Sequence, residues 1–267
     1  LLAVYEDGPA KILDTDAAGN VLELVGHTKL ASASFNRGGT RVVTVSRAGI
    51  VKVWDAKSGK ELSSIGGDGD TILRATLNPD GTRVVTVSEE GNVRVWNSDS
   101  GSVSVNVALF SSGGVADYTR KGTHLITVAE GAISETNSSV STAKLWNAET
   151  GAEEFSLNNN FDHFASISPD DSMIITPSPQ SSLFKVWDTS SGSGLFTLRG
   201  HADFGNQGYF SPDGAAVATT TIGPTVKIWN SSRGTGLIAP PSDTHEVLAV
   251  NVSSHRTQIA ISNLDKT

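Results

Sequence analysis

Apolar residues along this chain fall in short stretches of four to six positions, broken at every turn by Gly, Pro, Asp, Asn or Ser. Two kinds of stretch alternate. Leu73, Ala75 and Leu77, and again Leu248, Val250 and Val252, alternate with polar or small residues at the two-residue period of a strand with one apolar face. Runs such as Arg41-Val-Val-Thr-Val-Ser46 are more continuously apolar, as befits strands covered on both faces. All five tryptophans end one further pattern, apolar-basic-apolar-Trp-Asp/Asn, with Trp54, Trp96, Trp146, Trp187 and Trp229 preceded by Lys52, Arg94, Lys144, Lys185 and Lys227.

Successive tryptophans are separated by 42, 50, 41 and 42 residues, the subtraction of their positions. A period of this length marks a repeat array. In phase with it run small turns after an aromatic or aliphatic residue: Phe35-Asn-Arg-Gly-Gly39, Leu77-Asn-Pro-Asp-Gly81, Tyr118-Thr-Arg-Lys-Gly122, Ile167-Ser-Pro-Asp-Asp171 and Phe210-Ser-Pro-Asp-Gly214. Pro presets one backbone angle of such a turn, Asp bonds the backbone ahead of it, and Gly takes the left-handed position. A third marker follows the Trp strand: Ser58-Gly59, Ser100-Gly101, Thr150-Gly151, Ser191-Gly192 and Arg233-Gly234. Three turns per period predict four short strands per period and an all-β chain.

These markers together make the chain resemble the WD-repeat family of β-propellers. The resemblance implies four-stranded blades, each sequence repeat giving the outer strand of one blade and three inner strands of the next. Lys11-Ile-Leu-Asp14 matches the Trp-Asp segment with Leu13 in the Trp place, which puts three strands ahead of the first full blade. Leu248–Val252 and Ile259–Ser262 resemble the first two strands of another. The expected tally is three strands, five sets of four, and two, read as a single seven-bladed domain over 1–267 with incomplete first and last blades. The approximate repeat units are 1–25, 26–66, 67–108, 109–157, 158–198, 199–239 and 240–267.

His27 and His201 stand at the family's Gly-His position, where the imidazole is expected to join a buried hydrogen-bond chain with an Asp, a Ser/Thr hydroxyl and the indole. Thr44, Thr86, Thr127, Thr176 and Thr219 keep the hydroxyl. The Asp place holds Ala48, Ser181 or Gly223, and Glu90 is an imperfect substitute, so no blade is expected to keep the whole network.

Charge and composition exclude more than they assign. Twenty basic against 28 acidic residues give a net charge of −8, unlike a general nucleic-acid surface. No apolar run approaches a membrane span, and the expected compartment is cytoplasmic. The absence of cysteine removes disulfides, thiolate metal sites and cysteine nucleophiles. No Gly-x-Ser-x-Gly elbow, phosphate loop or His-Glu-x-x-His motif occurs. Gly67-Asp68-Gly69-Asp70 opens like a calcium loop but lacks its later ligands. No enzyme, cofactor or metal is therefore expected.

What remains is a surface. The family's loops joining strands four to one and two to three gather at one end of the ring and commonly hold partner peptides. Phe161 and Phe204 fall there at equivalent places, and exposed aromatics make good anchors. The alternative is that each ring folds down over its own strand. Arg47, Glu89, Asp68, Asp70 and Asp203 occupy neighbouring loop positions and would add polar specificity. The Trp146 copy carries about nine additional residues within 129–141, either a binding loop or a tolerated insertion. The expected function is a non-catalytic interaction scaffold, or a sensor or regulatory region of a larger protein, binding a protein segment. A structural subunit of a coat or filament is the alternative, and a propeller enzyme a weaker one.

Overall fold

The computed structural model describes residues 2–3, 9–13, 21–27, 29–66, 71–108, 114–130, 141–157, 164–178, 181–221, 223, 225–238, 247–252 and 259–263. Every element among them is a β-strand. The first sheet has three strands, Leu2–Ala3, Ala10–Leu13 and Val21–Leu24. Five four-stranded meanders follow, and a pair, Val247–Val252 with Ile259–Asn263, comes last. This division is the one the sequence markers predict.

The Trp54 sheet runs Leu30–Phe35, Arg41–Ser46, Val51–Asp55, Glu61–Ile65, and the Trp96 sheet Ile72–Leu77, Arg83–Ser88, Asn92–Asn97, Val103–Ala108. The other three have second and third strands at His124–Glu130 and Ser141–Asn147, Met173–Pro177 and Phe184–Asp188, and Ala216–Thr221 and Val226–Asn230. Strand pairings among the described residues are antiparallel, as tight turns between consecutive strands require.

The turns are built by side chains. Asn36 Oδ1 accepts from the Arg41 amide and Asn78 Oδ1 from the Arg83 amide, each at 2.9 Å. Ser168 and Ser211 hydroxyls do the same for Met173 and Ala216. After each Trp, the Asp or Asn side chain accepts the amide three residues on, as Asp55 does from Ser58. The glycine that follows closes each of these turns in the left-handed region. Asp171, at φ 63°, stands where the equivalent turns carry Gly39, Gly81, Gly122 and Gly214.

The chain divides into two compact units, Leu1–Glu130 with Trp146–Glu154, and Gly131–Leu145 with Phe155–Thr267. Within each, a tryptophan packs on the sheet before its own. Trp54 and Val42 pack with Ala10 and Leu24, and Trp96, Ile72, Leu77 and Val84 with Val43, Val53 and Ile65. In the second unit Trp229 and Val217 close on Ile175, Phe184 and Leu198. A single sheet leaves an apolar face bare, so stacking is what supplies the core. Arg41 adds a polar tie, its guanidinium pairing with Asp99 at 2.9 Å and bonding the Ser98 hydroxyl.

One expectation about the buried face is corrected. Leu73 is 45% exposed, while its neighbour Ile72 is 3% exposed. The pairing of the first two strands skips Leu73, with Ile72 opposite Ser88 and Arg74 opposite Val87. That bulge adds a residue and shifts the alternation by one, so the inward set is Ile72, Ala75 and Leu77. The Trp54 and Trp229 sheets break register at the same place. Side chains of Leu248, Val250 and Val252 lie outside what is described.

Candidate functional site

In all five full sheets the indole Nε1 donates to a threonine hydroxyl of the adjacent strand. Trp54 bonds Thr44, Trp96 Thr86, Trp146 Thr127, Trp187 Thr176 and Trp229 Thr219, at 2.7–2.9 Å. Register explains the regularity. Thr44 lies directly opposite Lys52, and Trp54 lies two residues beyond Lys52 on the same face, so the indole reaches back along a diagonal. Thr86 opposite Arg94, Thr176 opposite Lys185 and Thr219 opposite Lys227 repeat the arrangement. The ladder between third and fourth strands slips immediately before Trp54, Trp96, Trp187 and Trp229.

The histidines extend two of these bonds into chains. His27 Nε2 meets Thr44 Oγ1 at 2.8 Å, and His201 Nε2 meets Thr219 Oγ1 at 2.7 Å. His201 also reaches Thr225 Oγ1 through Nδ1 at 3.2 Å, and Thr225 bonds Thr221 at 2.6 Å. Threonine thus takes the second nitrogen where the resemblance implies an aspartate. Burial, with the Lys227 charge, holds His201 down at about 4 against the opposing charge of Asp203. Burial and Lys52 lower His27 likewise, against Glu61. Both imidazoles are neutral at pH 7, which suits a structural bond.

The basic residue before each Trp has more than one use. Lys52 pairs with Glu61 at 2.7 Å. Gly194 stands where Glu61 does, opposite the Trp, and there Lys185 lies 3.7 Å from the Trp187 ring centroid instead. Lys227 donates to the Gly200 carbonyl.

The residues proposed for partner contact divide unevenly. Phe161, Asp68 and Asp70 lie outside the described residues, as does 131–140 of the long segment; Ala129, Glu130 and Ser141 belong to strands. Arg47 and Glu89 are exposed at the equivalent position of the Trp54 and Trp96 sheets, immediately after the second strand. Their amides bond the carbonyls of Lys29 and Thr71. Asp203 and Phe204 are brought together in the second unit, where with Ala202 and Gly223 they line a pocket of about 390 Å³. Phe204 is 51% exposed, so its ring is not folded into the blade. Gly223 is the residue the sequence could not place in this site. A side-chain carbon there would lie 2.5 Å from Asp203 Oδ2.

Among the described residues no three His, Cys, Asp or Glu stand close enough to hold a metal ion, and no helix is long and apolar enough to cross a membrane. Residues 19–55 and 59–97, the Trp54 and Trp96 repeats, match the family described as "WD domain, G-beta repeat". The chain carries WD repeats. The other three tryptophan sheets share the threonine bond of the two matched repeats. Over 230 residues the WD-repeat chain is 27% identical to the serine-threonine kinase receptor-associated protein of Dictyostelium discoideum, covering 85% of this chain and 75% of that protein. Over 46 residues it is 39% identical to Lissencephaly-1 homolog 1 of Paramecium tetraurelia, which is 17% of this chain and 11% of that one. WD-repeat proteins are typically non-enzymatic scaffolds for protein interaction, and protein partners are the class they bind.

Proposed function

We propose that this chain is a non-catalytic interaction platform, or the sensing or regulatory region of a larger protein, that holds a partner segment where strand-four-to-one and two-to-three loops emerge. The observation that carries the reading is the half-exposed Phe204 beside Asp203 at a pocket. Large aromatics left in water next to a cavity are the usual anchors of interfaces. Phe161, Asp68, Asp70, Arg47 and Glu89 are assigned to the same end by their place in the repeat. The relative's name, a receptor-associated protein, is in keeping with an associating rather than catalytic role.

The test is affinity capture with mass spectrometry, comparing the parent protein with Phe161→Ala/Phe204→Ala after circular dichroism and thermal melting show both folded. The expected result is a partner retained by the parent and lost by the variant. An unchanged partner set overturns the site.

A further inference from the structure

The pocket beside Phe204 has a charge and a shape that specify what enters it. Its volume of about 390 Å³ is near the lower end of ligand pockets, roughly 300–1,000 Å³, and suits one long side chain better than a cofactor. Asp203 is exposed and forms no ion pair with a described residue. The Lys227 ammonium, which also acts on His201, donates to the Gly200 carbonyl and is not paired with Asp203. His201, the adjacent imidazole, is held neutral at physiological pH by burial, so it contributes no positive charge. Among its described lining residues the pocket therefore has one carboxylate, without an ion-pair partner, beside a half-exposed aromatic ring.

Carboxylate and aromatic ring reinforce each other toward one class of occupant. A ring presents a negative face that attracts ammonium and guanidinium groups. An apolar side chain would strip water from Asp203 without replacing its hydrogen bonds, and an acidic one would be repelled. Gly223 fits the same purpose. A Cβ would sit 2.5 Å from Asp203 Oδ2, so glycine lets the carboxylate lie against the backbone.

Building on the reading of this end as a recognition surface, we propose that the pocket of Ala202, Asp203, Phe204 and Gly223 receives a basic side chain, Lys or Arg, from an extended partner peptide. The ammonium or guanidinium pairs with Asp203 while its aliphatic stem lies on Phe204. A peptide is chosen over a free amine because Phe204 stands half in solvent at the mouth, where flanking residues continue the contact.

The test is a heteronuclear NMR titration of the full 267-residue chain with three capped peptides, alike in their Gly/Ser flanks and carrying Arg, norleucine or Glu at the centre. Butylguanidine is the free-cation control. The expected result is that the Arg peptide shifts the amides of residues 202–204 and 223 and binds about five- to tenfold more tightly than the norleucine peptide. Asp203→Asn and Gly223→Ala should each remove that preference, and added salt should reduce it. Equal binding of Arg and norleucine, or an unchanged preference in Asp203→Asn, overturns the charge inference and leaves Phe204 as a plain apolar anchor. Butylguanidine binding as tightly as the Arg peptide overturns the peptide occupant. No shift at these residues with any peptide overturns the inference outright, while the capture experiment with Phe204→Ala decides separately whether the surface recognises a partner.

Discussion

Trp229 Nε1 donates to Thr219 Oγ1 at 2.7 Å, and the same buried oxygen is met by His201 Nε2, also at 2.7 Å. One hydroxyl thus satisfies two ring nitrogens. Thr86 in the Trp96 sheet serves the indole with no histidine in its repeat. Thr219→Val keeps the shape and β-branching and removes the oxygen, leaving two buried polar groups to find partners. The expected loss is about 2–4 kcal/mol, against about 1–3 kcal/mol for Thr86→Val. Paired urea denaturation curves test the order; equal losses would mean that His201 adds nothing to the chain.

Trp96 is buried at 5% exposure among Val43, Val53, Ile65 and Leu77, and so ties two sheets together. Trp96→Ala removes that contact area, opens a cavity and takes away the indole bond to Thr86. A loss of about 3–5 kcal/mol is expected, as for large aromatic truncations generally. A melting midpoint equal to the parent's would refute the packing role.

Asp171 holds a left-handed conformation, φ 63°, that glycine adopts in the other turns of this kind. A Cβ in that region crowds its own backbone. Asp171→Gly relieves the crowding but adds freedom to the unfolded chain, and the first effect is expected to win by about 0.5–1 kcal/mol. Differential scanning calorimetry should show a raised midpoint, and a lowered one would count against strain at this turn.

Acid should lower the stability through two sets of groups. His201 titrates at about 4 when folded and near 6.5 when unfolded, so between these values the unfolded chain binds more protons. Its contribution is complete above pH 6.5 and lost as the pH falls toward 4. His27 shifts the same way. Below that range the Asp55 and Asp188 carboxylates, lowered by the hydroxyls of Ser58 and Ser190, lose their turn bonds on protonation. Stability measured in urea from pH 7 to 4 should fall steadily, and His201→Gln should flatten the slope. An unaltered slope in that variant would remove His201 from the account.

The repeat and the strands were legible in the sequence because each rests on local chemistry, while the tryptophan-threonine partnership came only from the resemblance to WD-repeat proteins. Turn residues recur at fixed offsets and strand alternation follows the pleat, whereas the register that sets each hydroxyl opposite the basic residue is seen only in the paired strands. Leu73 was not legible, since a bulge leaves no mark in composition yet inverts every side chain beyond it. The replacement of the expected aspartate by Thr225 was hidden for a similar reason. Its hydroxyl reaches His201 only through the path of the turn after Thr221.

By itself, then, the sequence determined the all-β repeat and its three turns per period, for these depend on neighbours a few positions apart. Tertiary structure alone decided that Asp203 and Phe204 meet Gly223 about twenty residues away, because that meeting depends on how the loop before a first strand comes over the turn after a second one. A glycine's value there lies in the atom it lacks, and only the neighbouring carboxylate reveals it.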